Sequence, residues 1–263
     1  MRESISYREG PGATPFTRAL AKVPEVTLGF WLIKIAATTL GETGGDALSM
    51  SMHLGYLLST AILAAIFVVV VSLQIRATSF HPWLYWATIV ATTTVGTTMA
   101  DYADRSLGIG YAGGSTLLLA LLLGSLWLWR RTQESVAVAS VNSPQVEVFY
   151  WVTILFSQTL GTALGDWMAD SAGLGYRGAA LVFGGLLVLT AAAYLWTKVS
   201  RTALFWLAFV LTRPLGAVVG DFLDKPLNHG GLALSRFGAS AALLLFMAAC
   251  IVLLRQRAAQ SAH

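Results

Sequence analysis

Eight carboxylates occupy unexpected places in this chain. Glu42 and Asp46, Asp101 and Asp104, Asp166 and Asp170, and Asp221 and Asp224 form pairs three or four residues apart, each in or at the end of an apolar stretch. Such spacing sets both members of a pair on one helix face. These eight are most of the 13 acids in a chain of 263 residues. Clustered carboxylates, supplemented by hydroxyls and amides, suit hard divalent cations such as Mn²⁺, Mg²⁺ or Ca²⁺. Met99 and Met168 lie beside the aspartates, and His53 and His229 near the neighbouring connections, softer groups that tilt the choice towards Mn²⁺. The same acids could instead hold protons or an organic cation, with Tyr102, Trp167 and Phe222, each next to a repeat aspartate, supplying ring faces for cation–π contact. A plainer alternative is that each aspartate caps a helix end through backbone N–H groups.

Polar residues continue from the acids at steps of four. The series are Lys34, Thr38, Glu42, Asp46; Thr93, Thr97, Asp101; Gln158, Thr162, Asp166; and Arg213, Ala217, Asp221. On a helix each series is one stripe, a candidate polar path along a bundle interior. Lys34 and Arg213 are cations at depths where the other series have none. They could form ion pairs with nearby acids, or balance the charge of an empty site and yield to an arriving cation.

These groups must be positioned by membrane helices. The chain is 56% hydrophobic and 11% charged, against about a quarter charged in soluble domains, and apolar runs of roughly twenty residues recur along it. The single cysteine, Cys250, allows no internal disulfide and no thiolate cluster. A net charge of +4 calls for no nucleic-acid partner, because the topology accounts for it. No HExxH, GxSxG or nucleotide-binding loop is present, so an enzyme is not expected and no cofactor is implied.

The runs are copies of one unit. From Trp31, Trp86, Trp151 and Trp206, a glycine follows ten residues on (Gly41, Gly96, Gly161, Gly216). A small residue stands four further (Gly45, Ala100, Gly165, Gly220), then aspartate (Asp46, Asp101, Asp166, Asp221). Another glycine comes nine beyond (Gly55, Gly110, Gly175, Gly230). Two runs per unit predict eight transmembrane helices, at 26–46, 54–75, 83–104, 109–130, 147–169, 174–197, 201–223 and 232–254. The four repeats are parallel, each a tight antiparallel hairpin. The small-xxx-small pairs predict close helix packing; local unwinding at Gly41–Gly45 would instead offer carbonyls to an ion.

Charge orients the bundle. Arg2, Arg8, Arg18, Lys22, Arg76, Arg130, Arg131, Lys198, Arg201, Arg255 and Arg257 share one side, whereas Arg105, Arg177, Lys225 and Arg236 lie near the other. The positive-inside rule then puts both termini in the cytoplasm. Eight of the nine tryptophans fall near that side, as an interfacial belt would. The expected organisation is a polar segment 1–24, repeats one and two over 25–130, a linker 131–146, repeats three and four over 147–257 and a tail 258–263.

The pattern W-x9-G-x3-(G/A)-D-x8-G, in four tandem copies of two helices, resembles a family of bacterial integral membrane proteins. That family is known as four copies of a repeat of unknown function, each with two spans and a characteristic tryptophan. The resemblance covers about 25–257 and implies the eight-helix fold and the bacterial inner membrane. Glu42-Thr43-Gly44-Gly45-Asp46 is more weakly similar to an acid-x-Gly-Asp helix pattern of small metal exporters, with one glycine more. The expected function is a secondary transporter of a divalent cation, Mn²⁺ favoured and proton-coupled. A carrier of a small organic cation or polar metabolite and a non-transporting scaffold are the alternatives. The expected partners are the lipid bilayer and a small cation; a homo-oligomer remains open.

Overall fold

The computed structural model describes residues 21–133 and 135–259. Arg2, Arg8 and Arg18 lie outside them, as do most of the expected polar segment and of the tail. The chain is an all-α membrane protein whose eight long helices are α1 (Leu28–Asp46), α2 (Gly55–Arg76), α3 (Pro82–Asp101), α4 (Tyr111–Gln133), α5 (Pro144–Asp166), α6 (Gly175–Trp196), α7 (Arg201–Asp224) and α8 (Arg236–Leu253). Side-chain oxygens of Thr27, Ser143, Ser200 and Ser235 accept from the backbone N–H three residues on and so open α1, α5, α7 and α8. Pro82 and Pro144 stand at the first position of α3 and α5, where no intrahelical N–H is needed.

Six helices (α2, α4, α5, α6, α7 and α8) are long and apolar enough to cross a membrane. The other two, α1 and α3, are of similar length but carry buried polar residues, among them Lys34, Glu42 and Asp46 on α1 and the threonines of α3. The odd-numbered helices form a closed ring in which α1 packs on α3, α3 on α5, α5 on α7 and α7 on α1. The even helices stand outside it with long apolar faces exposed, as lipid requires.

The small residues build the ring. A Cβ on Gly41 would lie 2.7 Å from Cβ of Thr93, one on Gly96 3.1 Å from Cβ of Gln158, one on Gly161 2.5 Å from Cβ of Arg213, and one on Gly216 2.5 Å from Cβ of Thr38. Each glycine thus receives the polar-stripe residue of the next odd helix, and the fourth returns to the first. Packing explains these glycines. The helix α1 runs unbroken through Gly41–Gly45, so no unwinding occurs there. The distortion comes after the aspartate instead, as π-helical turns at Ala47–Ser51, Tyr102–Ser106 and Trp167–Ser171. The last repeat glycines have another role: Gly55, Gly110, Gly175 and Gly230 all have positive φ, a left-handed bend open to glycine at little cost.

That bend corrects the expected hairpin. Each even helix has its main contact with the odd helix of the following unit: α2 with α3, α4 with α5, α6 with α7, and α8 with α1. In the first three units a π turn and the left-handed glycine, and in the fourth the left-handed glycine after a 3₁₀ turn, carry the chain past its own odd helix, and the exchange closes the circle.

Aromatic residues close the ring end that holds the repeat tryptophans. Each follows another aromatic, and the four pairs interlock round the ring. Phe30 meets Trp86 at 5.4 Å between ring centroids, Tyr85 meets Trp151 at 5.7 Å, Tyr150 meets Trp206 at 6.2 Å, and Phe205 meets Trp31 at 5.9 Å. Tyr85 and Tyr150 share a hydroxyl hydrogen bond of 2.6 Å. Trp86, Trp151 and Trp206 are therefore core residues rather than members of an interfacial belt, whereas Trp83, Trp127 and Trp196 are exposed. The linker and both described chain ends seal the same end. Lys22 N–H donates to the Val141 carbonyl (3.0 Å), Ala259 N–H to that of Val23 (2.9 Å), and Trp206 Nε1 to that of Val136 (3.0 Å), while Lys22 is ion-paired with the buried Glu147.

Gly216→Ala should destabilise the protein by about 1–3 kcal/mol through overpacking, because the new Cβ would press on Thr38. Gly184→Ala on α6, where nothing lies within 4 Å, should cost nothing. Thermal unfolding in detergent, followed by tryptophan fluorescence, compares the two.

Candidate functional site

The four repeat aspartates end the straight part of the ring helices. Asp46, Asp101 and Asp166 are the last residues of α1, α3 and α5, and Asp221 lies one turn before the end of α7. All four are buried. A carboxylate there faces the negative end of the helix dipole, and a helix C-terminus offers orphan carbonyls rather than N–H groups. Backbone capping is accordingly absent: none of Asp46, Asp101 and Asp166 makes a side-chain cap hydrogen bond to the π turn that follows it.

Resident cations take that role. Arg105 Nε lies 2.8 Å from Asp101 Oδ1 and its Nη2 3.0 Å from Asp166 Oδ2. Lys225 Nζ lies 3.0 Å from Asp221 Oδ1 and 2.5 Å from Asp46 Oδ2. The two are repeat equivalents, each four residues after its own aspartate, and each reaches the aspartate of the next unit. Units one and three have Met50 and Asp170 at that position, so the ion pairs follow a two-fold rather than a four-fold pattern. Burial lowers the pKa of the Lys225 ammonium, but Asp221, Asp46 and Asp224 outweigh it and hold the group well above the ordinary lysine value. Arg236 bonds Asp224 at 2.9 Å and lies 3.8 Å from Asp46.

One turn deeper, Arg213 reaches across the ring axis. Its Nη2 lies 3.0 Å from Glu42 Oε2 and 2.5 Å from Thr97 Oγ1 and also contacts Thr162 Oγ1, so one guanidinium nitrogen touches α1, α3 and α5 from α7. Thr97 also donates to the Gly41 carbonyl at 3.1 Å. Thr38 donates to the Thr212 carbonyl at 3.1 Å, joining α1 to α7. Thr93 and Gln158 are fully buried on the same stripes. Lys34, the lowest polar residue, is fully buried with its Nζ 4.1 Å above the Phe209 ring. It does not hydrogen-bond to Glu42.

Of the eight paired acids, Glu42, Asp46 and Asp221 offer oxygens within 4.8 Å of one another. Asp101 and Asp166 meet across Arg105. The second acids do not converge: Asp104 is turned towards Gly114 of α4, Asp170 is exposed, and Asp224 is drawn to Arg236. After Asp101 and Asp166 the helix passes into a π turn, which rotates Asp104 and Asp170 off the ring face, whereas Asp224 ends the unbroken α7 and is taken up by Arg236. His53 and His229 are exposed on the connections, and Met168 packs in an apolar cluster beside Phe183 and Val218. Met99 is half-buried. Trp167 is exposed and Phe222 lies under Arg177, so neither forms an aromatic wall for the acids; Tyr102 is half-buried.

Sequence reasoning placed Arg105, Lys225 and Arg236 among stray outer charges. Two of the three were legible as partners, since Asp101→Arg105 and Asp221→Lys225 are four-residue pairs that meet on a helix. Arg236 carries no local signal.

The ring of four two-helix units defines a membrane protein of tandem repeats, and the repeat itself is known. Four matches to the family described as Repeat of Unknown Function (DUF347) cover 29–80, 84–135, 149–200 and 204–258, and the chain belongs to that family. No curated protein and no solved structure matches it.

Lys225→Met leaves Asp46 and Asp221 facing each other in a buried site and should cost about 3–5 kcal/mol, the usual loss on breaking a buried pair. The double variant Lys225→Met/Asp46→Asn should recover part of that loss, whereas Lys198→Met on the exposed surface should stay within about 0.5 kcal/mol of the parent. Unfolding midpoints in detergent would measure all three.

Proposed function

We propose that the protein is a secondary transporter of a divalent cation, with Glu42, Asp46 and Asp221 as its binding carboxylates. One observation carries the reading: three buried carboxylates with ligand atoms within 4.8 Å of one another, inside a closed helical ring. Asp46 Oδ1 adds to it, being buried without a hydrogen-bond partner among the described residues. Buried carboxylates within membrane helices are costly and belong to ion or proton pathways more often than to packing.

The donor set is all oxygen and suits Mn²⁺, Mg²⁺ and Ca²⁺ alike. The exposed His53 and His229 add nothing in favour of Mn²⁺. Binding would require Lys225 to leave Asp46, and a carboxylate that takes up a proton in place of the cation would couple the cycle to protons. Lys22, Arg76, Arg130, Arg131, Lys198, Arg201, Arg255 and Arg257 lie towards the tryptophan end, which supports that end as cytoplasmic and the acid layer as facing the opposite side of a bacterial inner membrane. The organic-cation alternative loses the aromatic wall it needs, because Trp167 and Phe222 face away.

Purified protein in liposomes should carry Mn²⁺ down a gradient and acidify or alkalinise the lumen in step. Asp46→Asn and Asp221→Asn should each lower flux at least tenfold, while Asp170→Asn, at an exposed position, should not. Undiminished flux in both buried variants would remove this reading.

A further inference from the structure

Below the acid layer the balance of charge reverses. Lys34 and Arg213 are both fully buried, and among the described residues the only carboxylate bonded to either is Glu42, held by Arg213 Nη2. The acids above are already shared among Arg105, Lys225 and Arg236. Lys34 Nζ has no hydrogen-bond partner among the described residues, and its one favourable contact is the Phe209 ring. Phe209 stands one turn from Arg213 on α7, roughly 6 Å along the axis, and the Arg213 charge is near enough to act on the Lys34 amine. Two further guanidinium nitrogens, Arg213 Nε and Nη1, are buried without partners among the described residues, as are both amide atoms of Gln158, which occupies on α5 the repeat position that Arg213 holds on α7. The remaining residues level with Lys34 are Ile89, Ile154 and Phe209, all fully buried and none able to accept a hydrogen bond.

We propose that the ring holds a small monovalent anion, of halide or formate size, between Lys34, Arg213 and Gln158, one to two turns below the carboxylates. An anion there supplies the acceptor that Nζ, the free guanidinium N–H groups and Gln158 Nε2 all lack, and lets the buried Lys34 carry its charge beside Arg213. A water molecule could satisfy the hydrogen bonds but not the charge, which is the larger cost at that depth. A metal cation is repelled by both groups. Arg213 joins the site to Glu42, but its occupancy by an anion does not rest on cation transport.

The test uses purified protein in detergent, with sodium chloride or sodium formate replacing sodium gluconate at constant ionic strength. Thermal unfolding should rise along a saturable curve with chloride or formate, in the parent and in Asp46→Asn alike. In Lys34→Met the apparent affinity should weaken at least tenfold. A response that is absent, unsaturable or retained in Lys34→Met overturns the proposal. Should Lys34→Met not fold, bromide-soaked crystals of the parent decide: an anomalous peak beside Lys34 supports the site, and none overturns it. A protein that lacks cation flux yet shows the chloride response separates this site from the cation reading.

Discussion

Four buried carboxylates at or near the C-terminal ends of four helices repel one another and face the wrong end of each helix dipole. With Asp46, Asp101, Asp166 and Asp221 in this arrangement, the ring stands only because positive groups are built into the same layer. Arg105 and Lys225 are economical in this respect. Each satisfies its own helix by reaching back four residues and ties that helix to its neighbour by reaching sideways. The ion pairs consequently fall on the α3–α5 and α7–α1 boundaries. On α1–α3 and α5–α7 the crossing contacts are those of the turn below, made by Thr97 to Gly41 and by Arg213 to Thr162.

Closure of the ring follows from the same economy of size. The polar side chains of one helix can lie inside the bundle because the preceding helix presents glycine at the level where they cross. In lipid no hydrophobic effect drives helices together, so close backbone approach and polar contacts must supply the attraction. At the other end the ring is held by interlocked aromatics, each repeat tryptophan against the aromatic ring of the preceding unit. Even helices that pack on the next unit make the assembly cyclic: no unit is complete without its neighbour, and α8 covers α1 as α2 covers α3.

Much of this was legible because repetition multiplies a weak signal. One glycine ten residues after a tryptophan means little, whereas four mark a packing surface, and the eight helices follow from apolar length. Three things were hidden. The partner of each even helix depends on the φ of one glycine and, in the first three units, on a π turn, neither of which hydropathy records. Trp86, Trp151 and Trp206 sit at helix ends as belt residues do, and only the fold shows them facing inwards. The second acids Asp104, Asp170 and Asp224 have the spacing of a helix face, but the backbone changes pitch between Asp101 and Asp104 and between Asp166 and Asp170, and Asp224, on the unbroken end of α7, is claimed by Arg236.

Departures from the repeat carry more information about chemistry than the repeat itself. Four-fold equivalence fixes the positions of the aspartates and threonines. Two-fold departure at Arg105 and Lys225 neutralises the acid layer in pairs. Single departures at Lys34, Glu42 and Arg213 break even that symmetry and concentrate three of the chain's most deeply buried charges in and around one quarter of the ring. Glu42 turns the Asp46–Asp221 boundary into a cluster of three carboxylates, which Asp101 and Asp166 lack. Arg213 pairs with Glu42 on the neighbouring α1 and crosses the axis to Thr97 of α3, and part of its guanidinium, together with Lys34, is left without an acceptor among the described residues. Ligand chemistry is therefore to be sought on the α1–α7 side, where the four units differ most.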